Sequence, residues 1–145
     1  MRRPEPGDDN LAKVIILEDD AVLGPLLQAS LEDFAHDVRL FTTAHEAIAG
    51  FEEEAADIVV ADAIIVQDGK PAPEGGIVAT STIKSIAEAR NHRVGVIAIS
   101  GSHVKPGMSF ILNTMEVVGA DAALAKPFTP DELLTAIDQL LAEMG

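Results

Sequence analysis

The chain contains no cysteine, so disulfides and thiolate metal ligation are both excluded. Tyrosine and tryptophan are also absent. Basic residues are scarce, with 10 Lys and Arg against 24 Asp and Glu, for a net charge of −14. Direct contact with nucleic acid is therefore not expected, because phosphate binding needs basic surface. No apolar run approaches the roughly 20 residues of a membrane span. The first ten residues, MRRPEPGDDN, hold two arginines but no apolar stretch behind them, which excludes a signal peptide. A cytoplasmic protein is the expectation. What the chain does have is 48% hydrophobic residues, which argues for a globular fold and against disorder. Its 145 residues suffice for one domain with a proper core.

The organising stretch is Val14 to Asp20, VIILEDD. Four apolar residues run straight into three carboxylates. A short continuous apolar run reads as a buried parallel strand. The acids then stand at its carboxyl end, where open α/β sheets place their ligands. Clustered carboxylates repel: one pair at about 4 Å costs roughly 4 kcal/mol at an effective dielectric near 20. Such a cluster calls for a cation, a proton or wide separation. Glu18 and Asp19 are read as the floor of a divalent-metal site. Asp20 has a plainer reading as the cap of the helix that follows.

Strand and helix alternate five times. Residues 1–10 are expected as a loose tail and 11–145 as the folded domain. The strands are expected at Lys13 to Glu18, Val38 to Phe41, Ile58 to Ala61, Val94 to Ile99 and Ala122 to Ala125. Leu23, Leu27, Leu31 and Phe34 mark the first helix, with Pro25 tolerable only in its first turn. Thr43 with Glu46, and Thr129 with Glu132 and Pro130, are capping boxes for the second and fifth helices. The third is expected over Ile77 to Arg90 and the fourth over Met108 to Val118, with Gly119 suited to its C-cap. Ala63 to Gly75 and Gly101 to Gly107 read as long loops. The alternation predicts a doubly wound, flavodoxin-like (βα)5 fold, with five parallel strands and helices on both faces.

The carboxyl ends of these strands supply Glu18, Asp19 and Asp20, then Asp62, then Ser100 and Gly101, then Lys126. Carboxylates can hold Mg2+, which keeps waters and phosphate oxygens in its remaining positions. Lysine and a hydroxyl can hold phosphate oxygens that the metal does not reach. The set suits transfer of a phosphoryl group to a carboxylate. The four histidines, His36, His45, His92 and His103, are expected at the surface without a functional role.

With these residues in order, the sequence resembles the receiver domain of two-component response regulators. The resemblance covers Lys13 to Leu141. It rests on Glu18 and Asp19, on Asp62 ending the third strand, on Ser100–Gly101, and on Lys126–Pro127–Phe128. It implies that Asp62 accepts the phosphoryl group. It implies Mg2+ (or Mn2+) on Glu18, Asp19, Asp62 and the backbone carbonyl of Ile64. Ser100, Gly101, Ala63 and Lys126 would bind the phosphoryl group. The implied partners are a sensor histidine kinase or histidine phosphotransfer protein as donor, and a downstream protein target. The domain would be a regulator catalysing only its own phosphorylation and dephosphorylation. It is expected as a single-domain, stand-alone receiver.

The chain departs from the family pattern at three places, one of them the segment up to Gly75–Gly76, which is longer than the usual tight turn. Val66 stands where a proline often follows the acceptor by four residues. Ala123 stands where a Tyr or Phe often precedes the lysine by three. Two other readings stay open: a pseudo-receiver that is never phosphorylated, and a small Mg2+-dependent phosphatase. The phosphatase lacks an acid two residues after Asp62, where Ile64 stands, to serve as general acid.

Overall fold

The computed structural model describes residues 11–63, 65–67, 70–72, 74–100 and 116–145; for 65–67, 70–72, 74 and 100 only the backbone is described. The continuous apolar runs become the central strands because only burial on both faces accommodates them. In β1 (Lys13–Leu17) four of five residues are buried, and in β3 (Ile58–Asp62) all five are. With β2 (Asp37–Phe41), β6 (Gly95–Ser100) and β7 (Ala122–Ala125) they form a parallel five-stranded sheet in the order β2-β1-β3-β6-β7.

Alternate residues of each strand face opposite layers. Val14, Ile16, Ile58, Val60, Ile97 and Ile99 pack under α1 (Leu23–Glu32) and α4 (Pro130–Met144). Ile15, Leu17, Val59, Ala61, Val96 and Ala98 pack under α2 (Ala44–Glu53) and α3 (Glu74–Ala89). The strand order reverses between β1 and β3, so their carboxyl ends border the crevice where such sheets bind ligands.

Local capping matches the sequence. Thr43 Oγ1 accepts from Glu46 N–H at 3.1 Å, and Thr129 Oγ1 accepts from Glu132 N–H at 3.2 Å. Pro25 falls in the first turn of α1. Asp20 Oδ1 accepts from the N–H groups of Val22 and Leu23, both at 2.8 Å, so it closes the entry to α1. Gly119 takes a φ of +124°, beyond a helical pair at 116–117. The rest of the expected fourth helix, the loop Gly101 to Gly107, the tail 1–10 and His103 lie outside the described residues.

Two expectations are corrected. The stretch Ala63 to Gly75 is not simply a loop. It holds an antiparallel hairpin of β4 (Ile65–Gln67) and β5 (Lys70–Ala72), and α3 starts at Glu74 instead of Ile77. Val66 pairs with Pro71, and proline has no N–H to donate. That pair must be the non-hydrogen-bonded one, leaving Ile65–Ala72 and Gln67–Lys70 as the bonded pairs. The proline therefore costs the hairpin nothing.

The histidines are not all at the surface either. His36 is buried, and its Nδ1 accepts from Ala12 N–H at 3.1 Å. His92 is half-buried, with Nε2 2.8 Å from Ala56 O and its ring edge-on to Phe51. A neutral imidazole can satisfy such backbone groups inside a fold, which sequence spacing does not reveal.

Candidate phosphoryl and metal site

Glu18, Asp62 and Lys126 each sit where a strand runs out. Glu18 follows β1, and its N–H donates to Phe41 O at 3.0 Å, extending the ladder one residue past the strand. That position turns the side chain inward, and Glu18 is only 1% exposed. Its Oε2 accepts from Asp20 N–H at 3.2 Å. Asp62 ends β3 and is 5% exposed. Lys126 follows β7, whose sequence AALA leaves room for the long side chain to reach over the sheet edge.

The Lys126 ammonium lies 2.8 Å from Glu18 Oε1 and 3.0 Å from Asp62 Oδ2. One cation thus bridges the ends of β1 and β3. Glu18, Asp19 and Asp62 each offer a carboxylate oxygen, and these oxygens lie within 4.8 Å of one another. Lys126 meets two of these acids, Glu18 and Asp62, and the solvation they give up on burial is the deficit the ammonium offsets.

The electrostatics follow from that deficit. Burial pushes the Glu18 carboxyl up to about 7, against the pull of Lys126 and with a further push from Asp62. Burial opposes the charge on Lys126, but the Glu18 and Asp62 carboxylates outweigh it and raise its pKa. Asp20 differs: hydrogen bonds from Leu23 and Val22 N–H lower its pKa, as befits a cap. An arrangement of this kind can hold a divalent cation, and it sets the Asp62 carboxylate beside an ammonium.

The sheet register places the remaining candidates. Asp62 is opposite Ile99, and Ser100 is opposite Ala125, one residue before Lys126. The Ser100 backbone therefore stands at the same edge as the acids. The side chain of Ser100, the Ile64 carbonyl and Gly101 lie outside what is described. Ala63 N–H donates to Ile99 O at 2.9 Å, which continues the ladder one residue past β3. The Lys126–Pro127 peptide is cis. Gly76, on the first turns of α3, lies against the Asp62 backbone and was missed. The Gly75–Gly76 pair was the available signal, but beside prolines it read as loop.

Residues 14–138 match the sequence profile of the response regulator receiver domain. Solved structures share the fold. NtrX from Brucella abortus, crystallised with ADP, is 22% identical with a TM-score of 0.71, over 92% of this chain and 26% of that one. A putative response regulator from Chloroflexus aurantiacus is 20% identical with a TM-score of 0.73, over 91% of this chain and 98% of that one. A Francisella response regulator's receiver domain is 22% identical with a TM-score of 0.69, over 92% and 99%. The chain thus spans about a quarter of NtrX and nearly all of the other two. No protein of curated function matches it by sequence. The profile covers most of the chain, carries the site just described, and agrees with the fold: the chain belongs to the receiver-domain family of two-component response regulators.

Proposed function

We propose that this receiver takes a phosphoryl group from a phosphohistidine onto Asp62 and signals through protein contacts. The observation carrying this reading is Lys126 Nζ at 3.0 Å from Asp62 Oδ2, with Glu18 and Asp19 beside it. A carboxylate attacking phosphorus must stay ionised as another anion approaches, and the ammonium supports that. The carboxylate oxygen forms a bond to phosphorus as the phosphorus–nitrogen bond of the donor breaks. The imidazole leaves and takes a proton. Lys126, already between Glu18 and Asp62, is placed to pair with the transferred group.

Glu18, Asp19 and Asp62 would hold Mg2+ (or Mn2+), with the Ile64 carbonyl as a further ligand. The fit rests on convergence of the three carboxylates. Bound there, the ion would neutralise the acids and the incoming phosphoryl oxygens. Ser100 and Gly101 complete the proposed phosphoryl-binding set from the end of β6. The donor is a sensor histidine kinase or a phosphotransfer protein, the recipient of the signal is another protein, and the cytoplasm is the compartment.

Intact-mass measurement tests the acceptor. Incubation with a small acyl phosphate and Mg2+ should add one phosphoryl group, and Asp62→Asn should not gain it. Uptake retained in Asp62→Asn would place the acceptor elsewhere. No uptake by the wild-type protein would favour a pure interaction module.

A further inference from the structure

We infer that Gly76 is a positioning residue for the acceptor: the glycine lets α3 press against the main chain of Asp62 and so sets where the carboxylate stands. The inference rests on the phosphoryl-transfer reading above.

The geometry is specific. A Cβ built on Gly76 would lie 2.2 Å from Asp62 O, 3.1 Å from Asp62 C and 3.0 Å from Ala63 Cα. All three are backbone atoms, so no side-chain rotation relieves the clash. An ordinary contact would need the helix or the end of β3 to withdraw by about 1 Å, a displacement able to cost on the order of a hundredfold in a catalytic site. Glycine also weakens a helix relative to alanine, so its presence within α3 asks for a local reason. The acceptor backbone supplies one.

On its other side the same backbone is pinned. Ala63 N–H donates to Ile99 O at 2.9 Å. The main chain at Asp62 is thus held between α3 and β6. Its side chain leaves that clamp toward Lys126 and the carboxylates of Glu18 and Asp19. Gly76 itself offers no ligand atom. It acts only through the position of Asp62.

Gly50 provides a control whose clash falls on a side chain. A Cβ there would lie 2.4 Å from Phe41 Cζ, the outer end of a ring between α2 and β2. The experiment uses the full chain as wild type, Gly76→Ala and Gly50→Ala. Each is measured for melting temperature, for Mg2+ affinity by calorimetric titration, and for phosphoryl uptake from an acyl phosphate by intact mass. Both variants should melt lower. Only Gly76→Ala should also bind Mg2+ about tenfold more weakly or worse, as supporting residues around metal ligands do. Its phosphoryl uptake should slow in parallel.

A folded Gly76→Ala protein with wild-type Mg2+ affinity and uptake would overturn the inference. So would an equal loss of Mg2+ affinity in Gly50→Ala, which would make the effect one of general stability. Failure of the wild type itself to bind Mg2+ or take up phosphoryl would instead sink the underlying reading. If Gly76→Ala does not fold, amide shifts of the wild type decide. The Gly76 resonance must move with those of Asp62 and Ala63 on adding Mg2+, and an unmoved Gly76 overturns the inference.

Discussion

The two ends of the sheet use charge in opposite ways. At the amino end Lys84, Asp121 and Asp57 all have matched partners. Lys84 Nζ donates to Val94 O at 2.9 Å and to Asp121 Oδ2 at 2.8 Å, and the same Oδ2 accepts from Val96 N–H at 2.8 Å. Asp57 Oδ2 accepts from Lys13 N–H at 2.9 Å. At the carboxyl end two buried acids, Glu18 and Asp62, share Lys126, and the more buried of them is pushed up to about 7. The amino end is finished without a ligand. The carboxyl end buries carboxylates whose lost solvation Lys126 offsets, and an added cation is expected to offset more of it.

Five changes test that contrast, taken from the largest expected effect. Lys126→Met removes the ammonium from two buried carboxylates and should lower metal-free stability by about 3 kcal/mol or more in urea unfolding. Saturating Mg2+ should recover part of the loss. Unchanged stability would show that Glu18 and Asp62 are not held by that cation.

Next comes Glu18, through pH. Its folded pKa of about 7 is raised above the unfolded 4.5, so its contribution is present below 4.5 and lost as pH rises through 7. Without metal, Glu18→Gln should gain on wild type across that window by on the order of 3 kcal/mol. A constant difference from pH 4 to 8 would contradict the burial argument.

At the other end, Lys84→Met breaks a partly exposed pair and should cost only about 1 kcal/mol. The shift in melting temperature on adding Mg2+ should match wild type, since the deficit lies elsewhere. A lost Mg2+ response would mean the two ends are not independent. The buried His36 also belongs to the amino end, and its pH slope opposes that of Glu18. Burial lowers its pKa, with the Asp138 charge pulling the other way. Its contribution is complete above the unfolded value near 6.5 and falls away as pH drops below it. His36→Gln should flatten that acid limb of the stability curve.

The smallest effect is expected from Asp20→Ala. Although it adjoins Asp19, its carboxylate caps α1. A slightly lower melting temperature with an intact Mg2+ response is the expected result. Loss of that response would move Asp20 into the metal site.

The strands were legible in the chain because their burial is written as apolar runs. β7 falls at Ala122 to Ala125 as read, and the boundaries of β2 and β6 differ by one residue. The two capping boxes were legible because each closes within four residues. The hairpin at Ile65 to Ala72 was hidden by its glycine and proline, which look like loop until the pairing shows that Pro71 occupies a position needing no donor. His36 was hidden because its partner, Ala12, is 24 residues away.

By itself the sequence determined the alternation of strand and helix, and with it the edge at which Glu18, Asp19, Asp62 and Lys126 would gather. Periodicity and capping are local, and a parallel sheet puts all its carboxyl ends on one side. Only the tertiary structure decided that Lys126 reaches across 64 residues to Asp62, that Glu18 is buried enough to resist ionisation, and that Gly76 lies against the Asp62 carbonyl. Those facts depend on sheet register and on how closely α3 packs, which arise from the summed contacts of the whole core and are encoded at no single position.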